Sequence, residues 1–135
     1  MSNTNPIFQS GPSNGAPATI VNADGTVEKT IYTAGVNGAL VDSVFVTSDD
    51  PSSVVLSVFV NDGATSYLIG AINVPALSGT NGMTAGINLL SLGDIPALQA
   101  GGGLALAPTY KLNVAAQSSV TATNTVTLVA AGGEY

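Results

Sequence analysis

Apolar residues along this chain fall into short runs with the character of strands. Residues 39–74 read ALVDSVFVTSDDPSSVVLSVFVNDGATSYLIGAINV. Val, Ile, Phe, Tyr and Thr dominate, the residue types that suit a pleated, half-buried surface. The pattern predicts three strands in succession, Leu40 to Ser48, Ser53 to Val60 and Thr65 to Val74, broken at Asp49-Asp50-Pro51-Ser52 and at Asn61-Asp62-Gly63. Asp-Gly between two apolar runs signals a tight hairpin, because the turn needs residues that tolerate positive φ. In the first strand, strict alternation would put Val41, Ser43, Phe45 and Thr47 on one face and Leu40, Asp42, Val44 and Val46 on the other. The second is apolar on both sides, which calls for a sheet on each side or a partner on the outer one. Phe45, Phe59 and Tyr67 are the large residues where that division between core and interface would show.

The flanking segments extend the same picture. Residues 1–18 are polar and punctuated by Pro6, Pro12 and Pro17, which predicts an extended arm preceding a single domain over residues 19–135. Ile7 and Phe8 are the arm's large apolar pair; a segment of this composition does not order itself, so they would anchor it on its own body or, preferably, on a neighbouring subunit. Ala18 to Ala23 predicts a short strand, and Thr26 to Thr33 alternates Val27, Lys29 and Ile31 against Glu28, Thr30 and Tyr32. After a glycine-rich loop at 75–86, short strands are expected at Ile87 to Leu90, Leu104 to Ala107, Tyr110 to Gln117 and Asn124 to Ala130, the last with Val126 and Leu128 inward. Gly93 to Ala100 is the one helix-like piece, a turn or two with Asp94 as its cap. About eight short strands with regularly spaced turn signals predict an all-β, antiparallel β-sandwich of jelly-roll-like type.

Composition changes the picture in one respect. Of the 135 residues 45% are hydrophobic, but only 7% are charged, against about 25% in an ordinary soluble domain. Asn, Ser, Thr, Gly and Ala must coat the surface, or partners must cover part of it. The two lysines, Lys29 and Lys111, face eight acids, for a net charge of −6 and no arginine. Clustered cations are what phosphate backbones and anionic membranes require, so nucleic acid and membrane surfaces are not expected partners. No apolar run approaches the ~20 residues that span a bilayer. The first residues lack the basic and apolar regions of a secretory signal, so synthesis in the cytoplasm without cleaved export is the expectation.

Candidate chemistry is sparse. Cysteine and histidine are both absent, which removes the thiolate nucleophile, the commonest general base and the commonest metal ligand. Asp49, Asp50 and Asp62 lie where aspartate forms turns, without the spacing of a calcium loop. Gly101-Gly102-Gly103 is followed by no Gly-Lys-Ser/Thr and opens no long helix. Serines and threonines would have to borrow Lys29 or Lys111 as base. The four tyrosines, Tyr32, Tyr67, Tyr110 and Tyr135, suit positions with one end buried and one wet. The residues thus predict no enzyme, no cofactor and no metal site.

Several stretches resemble a known family: TIYTAGVNGALVDSVFVTS (30–48), NDGATSYLIGAINVPALSGTNG (61–82), INLL (87–90), PALQ (96–99) and LALAPTYKLNVAAQSSVTATNTVTLVAAGGEY (104–135). The loop YTAGVNG, the NDG hairpin, the GTNG loop and the ending VAAGGEY are the marks of this likeness. They are similar to small structural proteins encoded in the head gene clusters of tailed bacteriophages, some of which look like capsid cement or decoration proteins. The resemblance implies a homo-oligomeric subunit, dimer or trimer, on the outer surface of a virion capsid, bridging copies of the major capsid protein. Ile7, Phe8, Phe45, Phe59, Tyr67 and Tyr135 are the expected contact residues. A tail, baseplate or fibre part shares the same composition, and a carbohydrate-binding sandwich is the reading from another class, weakened by the absence of tryptophan.

Overall fold

The computed structural model describes residues 17–90, 95 and 103–134. Ile7 and Phe8 of the expected arm, the helix-like piece apart from Ile95, and Tyr135 lie outside the described residues. Among the described residues nine strands are present: β1 (Ala18–Val21), β2 (Lys29–Thr33), β3 (Ala39–Ser48), β4 (Val54–Asn61), β5 (Ser66–Val74), β6 (Ile87–Asn88), β7 (Leu104–Leu106), β8 (Lys111–Ala116) and β9 (Thr125–Glu134). They form two antiparallel sheets. The first runs β1-β9-β3-β6, with β7 also on β3; the second runs β2-β8-β4-β5.

The pairings are nested. β4 pairs with β5, β3 with β6 and β7, β2 with β8, and β1 with β9, all antiparallel. This is one long hairpin, its tip at residues 62–65, rolled until its first strand lies against its last. That arrangement is the jelly roll, and it bears out the expected all-β antiparallel sandwich. β6 and β7 share one strand position: β6 lies beside Phe45 and Val46, β7 beside Ala39, Leu40 and Val41. Ile95 is fully buried in the core.

The three strands of residues 39–74 do not form one sheet. β4 and β5 are the expected hairpin, but β3 belongs to the opposite sheet, and residues 49–53 carry the chain across the sandwich. A sheet-crossing corner and a tight turn have the same local composition; only long-range pairing separates them, and β3 pairs with β9 along its length.

The faces of β3 also depart from strict alternation. Asp42 is an extra residue between the Val41–Gly132 and Ser43–Ala131 pairs. This bulge reverses the phase, so Val41, Val44 and Val46 all point inward and are fully buried, while Phe45 and Thr47 face out. A second bulge, in β2, leaves Ile31 and Tyr32 buried side by side where alternation would have separated them. The core between the sheets is built from these residues with Leu56 and Val58 of β4, Ile72 and Val74 of β5, Leu112 and Val114 of β8, and Val126 and Leu128 of β9. Burying each such side chain contributes about 1.5–3 kcal/mol relative to exposure.

Candidate interaction surfaces

The carboxylates that stood out as turn formers hold the corners of the roll. Asp50 is buried at the crossing between β3 and β4. Its Oδ2 accepts the Thr121 backbone N–H at 2.8 Å, and its Oδ1 accepts the Thr121 hydroxyl at 2.9 Å and the Ser52 N–H at 2.8 Å. Burial alone would raise its pKa; the hydrogen bonds from Thr121 and Ser52 outweigh it and hold the carboxyl below the ordinary range. Asp49 accepts the Thr125 N–H at 2.7 Å, so the pair stitches residues 49–52 to the loop between β8 and β9 and to the first residue of β9. Asp62 accepts the N–H groups of Thr65 and Ala64 at the hairpin tip, which lowers its pKa. Each of the three acids accepts at least one backbone N–H, and Asp50 and Asp62 also accept hydroxyls, from Thr121 and Tyr67. Among the described residues, no group of three His, Cys, Asp or Glu side chains could hold a metal ion.

Inside the other end, the buried Tyr32 hydroxyl lies 3.4 Å from Glu134 Oε1, and the Gly35 N–H donates to Glu134 Oε2 at 2.9 Å. Burial first, and the Glu134 carboxylate second, push the Tyr32 phenol up to about 12. Nothing here is a nucleophile with a base. Lys29 forms an ion pair with Asp24 at 2.9 Å and donates to the Thr19 carbonyl at 2.6 Å, which commits it to the β1–β2 connection. A shallow depression of about 320 Å³ beside this connection is lined by small residues including Asn22, Ala122, Thr123 and Asn124; it contains no acid or base. Among the described residues no helix is long and apolar enough to cross a membrane.

What remains is surface. The outer face of the β1-β9-β3-β6 sheet is built in rows fixed by register. Asn88, Phe45 and Val129 form one row across β6, β3 and β9; Thr47, Thr127 and Thr19 form the next across β3, β9 and β1. Phe45 is 58% exposed and Val129 40%, so a phenylalanine and a valine stand in solvent at the centre of rows without a single charge. The Phe45 expectation therefore falls on an exposed site, and Val129 joins it. Alternation outward from Val126 and Leu128 would have identified Val129.

The second sheet closes its outer face differently. Thr30 donates to Asn113 Oδ1 at 2.8 Å; Asn113 Nδ2 donates to Glu28 Oε1 at 3.2 Å; Ser66 Oγ donates to the same oxygen at 2.6 Å and accepts from Asn61 Nδ2 at 2.8 Å. This chain of hydrogen bonds reaches from β2 to β5. The outer face of β8 is consequently dry at its middle: Asn113 and Ala115 are buried together with the inward Leu112 and Val114. Phe59 pairs with Asn113 on one side and Leu68 on the other and is half-buried.

Tyr67 is 54% exposed and Leu68 63% exposed on β5 near the hairpin tip. Thus Phe59 and Tyr67 lie on adjacent strands, and Phe45 lies on the opposite sheet; the fold does not bring the three together. Met83, at the tip of the 75–86 loop and 91% exposed, carried no sequence signal, since a single apolar residue in a glycine-rich loop has no periodicity to read. Comparison with protein-family models, with curated proteins and with solved structures returns no match for this chain.

Proposed function

We propose that the protein is a virion structural subunit, a capsid cement or decoration protein that sits on the outside of a bacteriophage head and bridges neighbouring copies of the major capsid protein. The observation that carries this reading is the pair of uncharged rows across the outer face of the β1-β9-β3-β6 sheet, with Phe45 and Val129 exposed in one of them. Exposed apolar groups within a polar surround favour protein contact. A cement subunit performs no chemical step: it buries surface on two coat subunits, and a shell that repeats the contact holds through multivalency even where each contact is weak. In this reading no cofactor takes part, and the role is structural rather than enzymatic.

The test is a count. Purified particles analysed by quantitative mass spectrometry should contain this chain in numbers comparable with the major capsid protein. A handful of copies would instead favour a tail, baseplate or fibre role, and absence from particles would end the virion reading. Binding of the isolated protein to undecorated heads, with Phe45→Asp as the defective variant, locates the contact.

A further inference from the structure

Each sheet of the roll has two edges, and three of the four are blunted. β1 has four residues, and its neighbouring connection is held by Lys29. β2 has five, with a bulge and Lys29 at its start. The β6/β7 edge consists of two separate strands of two and three residues. These are the devices by which sheets avoid pairing with other chains: short strands, charge, bulges and interruption. β5 differs. It has nine residues, SYLIGAINV, with no charge and no proline, in a chain of net charge −6. Among the described residues it pairs only with β4, and no backbone hydrogen bond from another segment reaches its outer edge.

Its own irregularities define how much can pair. Ile69 is the extra residue of a bulge opposite Val58 and Phe59, and Pro75 ends the strand. Between them Gly70–Val74 is regular, with Ala71 and Asn73 exposed on the outer face and Ile72 and Val74 buried inward. We propose that this edge is a self-association site, at which β5 pairs antiparallel with β5 of a second copy about a two-fold axis at Ile72, joining the two β2-β8-β4-β5 sheets into one.

A second copy is the occupant because the edge is complementary to itself. With the axis at Ile72, Ala71 of one copy stands opposite Asn73 of the other, and inward residues oppose inward residues, as side-chain alternation demands. The same operation brings the exposed Tyr67 and Leu68 of each copy towards the half-buried Pro75-Ala76-Leu77 segment of the other, apolar against apolar. The contact is isologous, so it closes at two copies and does not propagate. No acid lies on the strand to repel its duplicate. This holds whether or not the protein decorates a capsid.

Sedimentation and light scattering across a concentration series test it. The unmodified chain should reach twice its 13.3 kDa mass. Ala71→Lys with Asn73→Lys places like charges opposite one another twice and should weaken self-association by at least about tenfold. Ala71→Lys with Asn73→Glu sets opposite charges across the axis and should restore it. Both positions are exposed, so circular dichroism should be unchanged. Amide exchange on the unmodified chain gives a readout independent of any variant: protection over Gly70–Val74 should rise with concentration. A chain that stays monomeric overturns the proposal and leaves the edge to a strand of a different protein. A trimer, a dimer indifferent to the double-lysine change, or failure of the lysine–glutamate pair to restore it also overturns it.

Discussion

Gly132 of β9 lies directly across from Val41 of β3, and a Cβ at Gly132 would stand 2.6 Å from the Leu40 carbonyl oxygen and 3.0 Å from the Val41 Cα. The bulge at Asp42 draws the two backbones together at this point, and only glycine fits beneath it. Because the obstacle is backbone, it cannot rotate away. Gly132→Ala should cost about 2 kcal/mol. Gly82, in a left-handed conformation with nothing within 4 Å, is the control: Gly82→Asn should stay within about 0.5 kcal/mol in denaturant unfolding, since Asn tolerates that conformation.

The corner at Asp50 should be visible in acid. A depressed folded-state pKa means that the unfolded chain binds protons first as pH falls, so the contribution is fully present above the ordinary value of 3.8 and declines below it, until pH passes the folded value. Replacing the carboxylate by Asp50→Ala leaves the Thr121 and Ser52 N–H groups without their acceptor and should cost about 3 kcal/mol at neutral pH. Asp50→Asn should lose less and flatten the acid limb of a stability–pH profile. An unchanged acid limb in Asp50→Asn would assign that limb to other carboxylates.

Tyr32 makes the complementary prediction in base. Its phenol titrates at about 12 in the folded chain against 10.0 when unperturbed. The folded state therefore retains a proton that the unfolded state gives up, and stability should fall as pH rises from 10 towards 12. Unfolding midpoints measured through this range should drop for the natural chain. Tyr32→Phe, which keeps the buried ring and removes the proton, should level that decline.

Phe45 separates folding from binding. With more than half its surface in solvent, Phe45→Ala should change stability by no more than about 0.5 kcal/mol. If these uncharged rows are the contact with a capsid, the same change should reduce occupancy on heads, and Val129→Ser should act in the same direction. Loss of stability with retained occupancy would reverse the assignment.

Much of the fold is legible from local pattern. The Asn61-Asp62-Gly63 turn, the inward placement of Val126 and Leu128, and the strand character of most apolar runs follow from turn chemistry and alternation. Two features do not. A bulge such as that at Asp42 shifts the phase of every following residue, and the glycine that accommodates it, Gly132, is far along the chain. The crossing at residues 49–53 resembles a hairpin until β9 is placed beside β3. For the surface, alternation finds Phe45 and would have found Val129, whereas the cover over Asn113 depends on Glu28, just before β2, and Ser66 of β5 converging on it, which no linear spacing encodes.

The nested pairing also sets an order of events. The β4–β5 hairpin closes over four residues and joins neighbours in sequence, whereas Ala18 must find Leu128 to seat β1, and β3 stays unpaired along one side until β9 is made. Sheets dominated by such distant partners fold slowly. During synthesis, then, the early strands wait with their apolar faces open until residues 125–134 enter the middle of the sheet they complete. The ninth strand of the roll acts as a latch on the first, and damage to it should be felt as failure to fold, well before it is felt as loss of any contact with a partner.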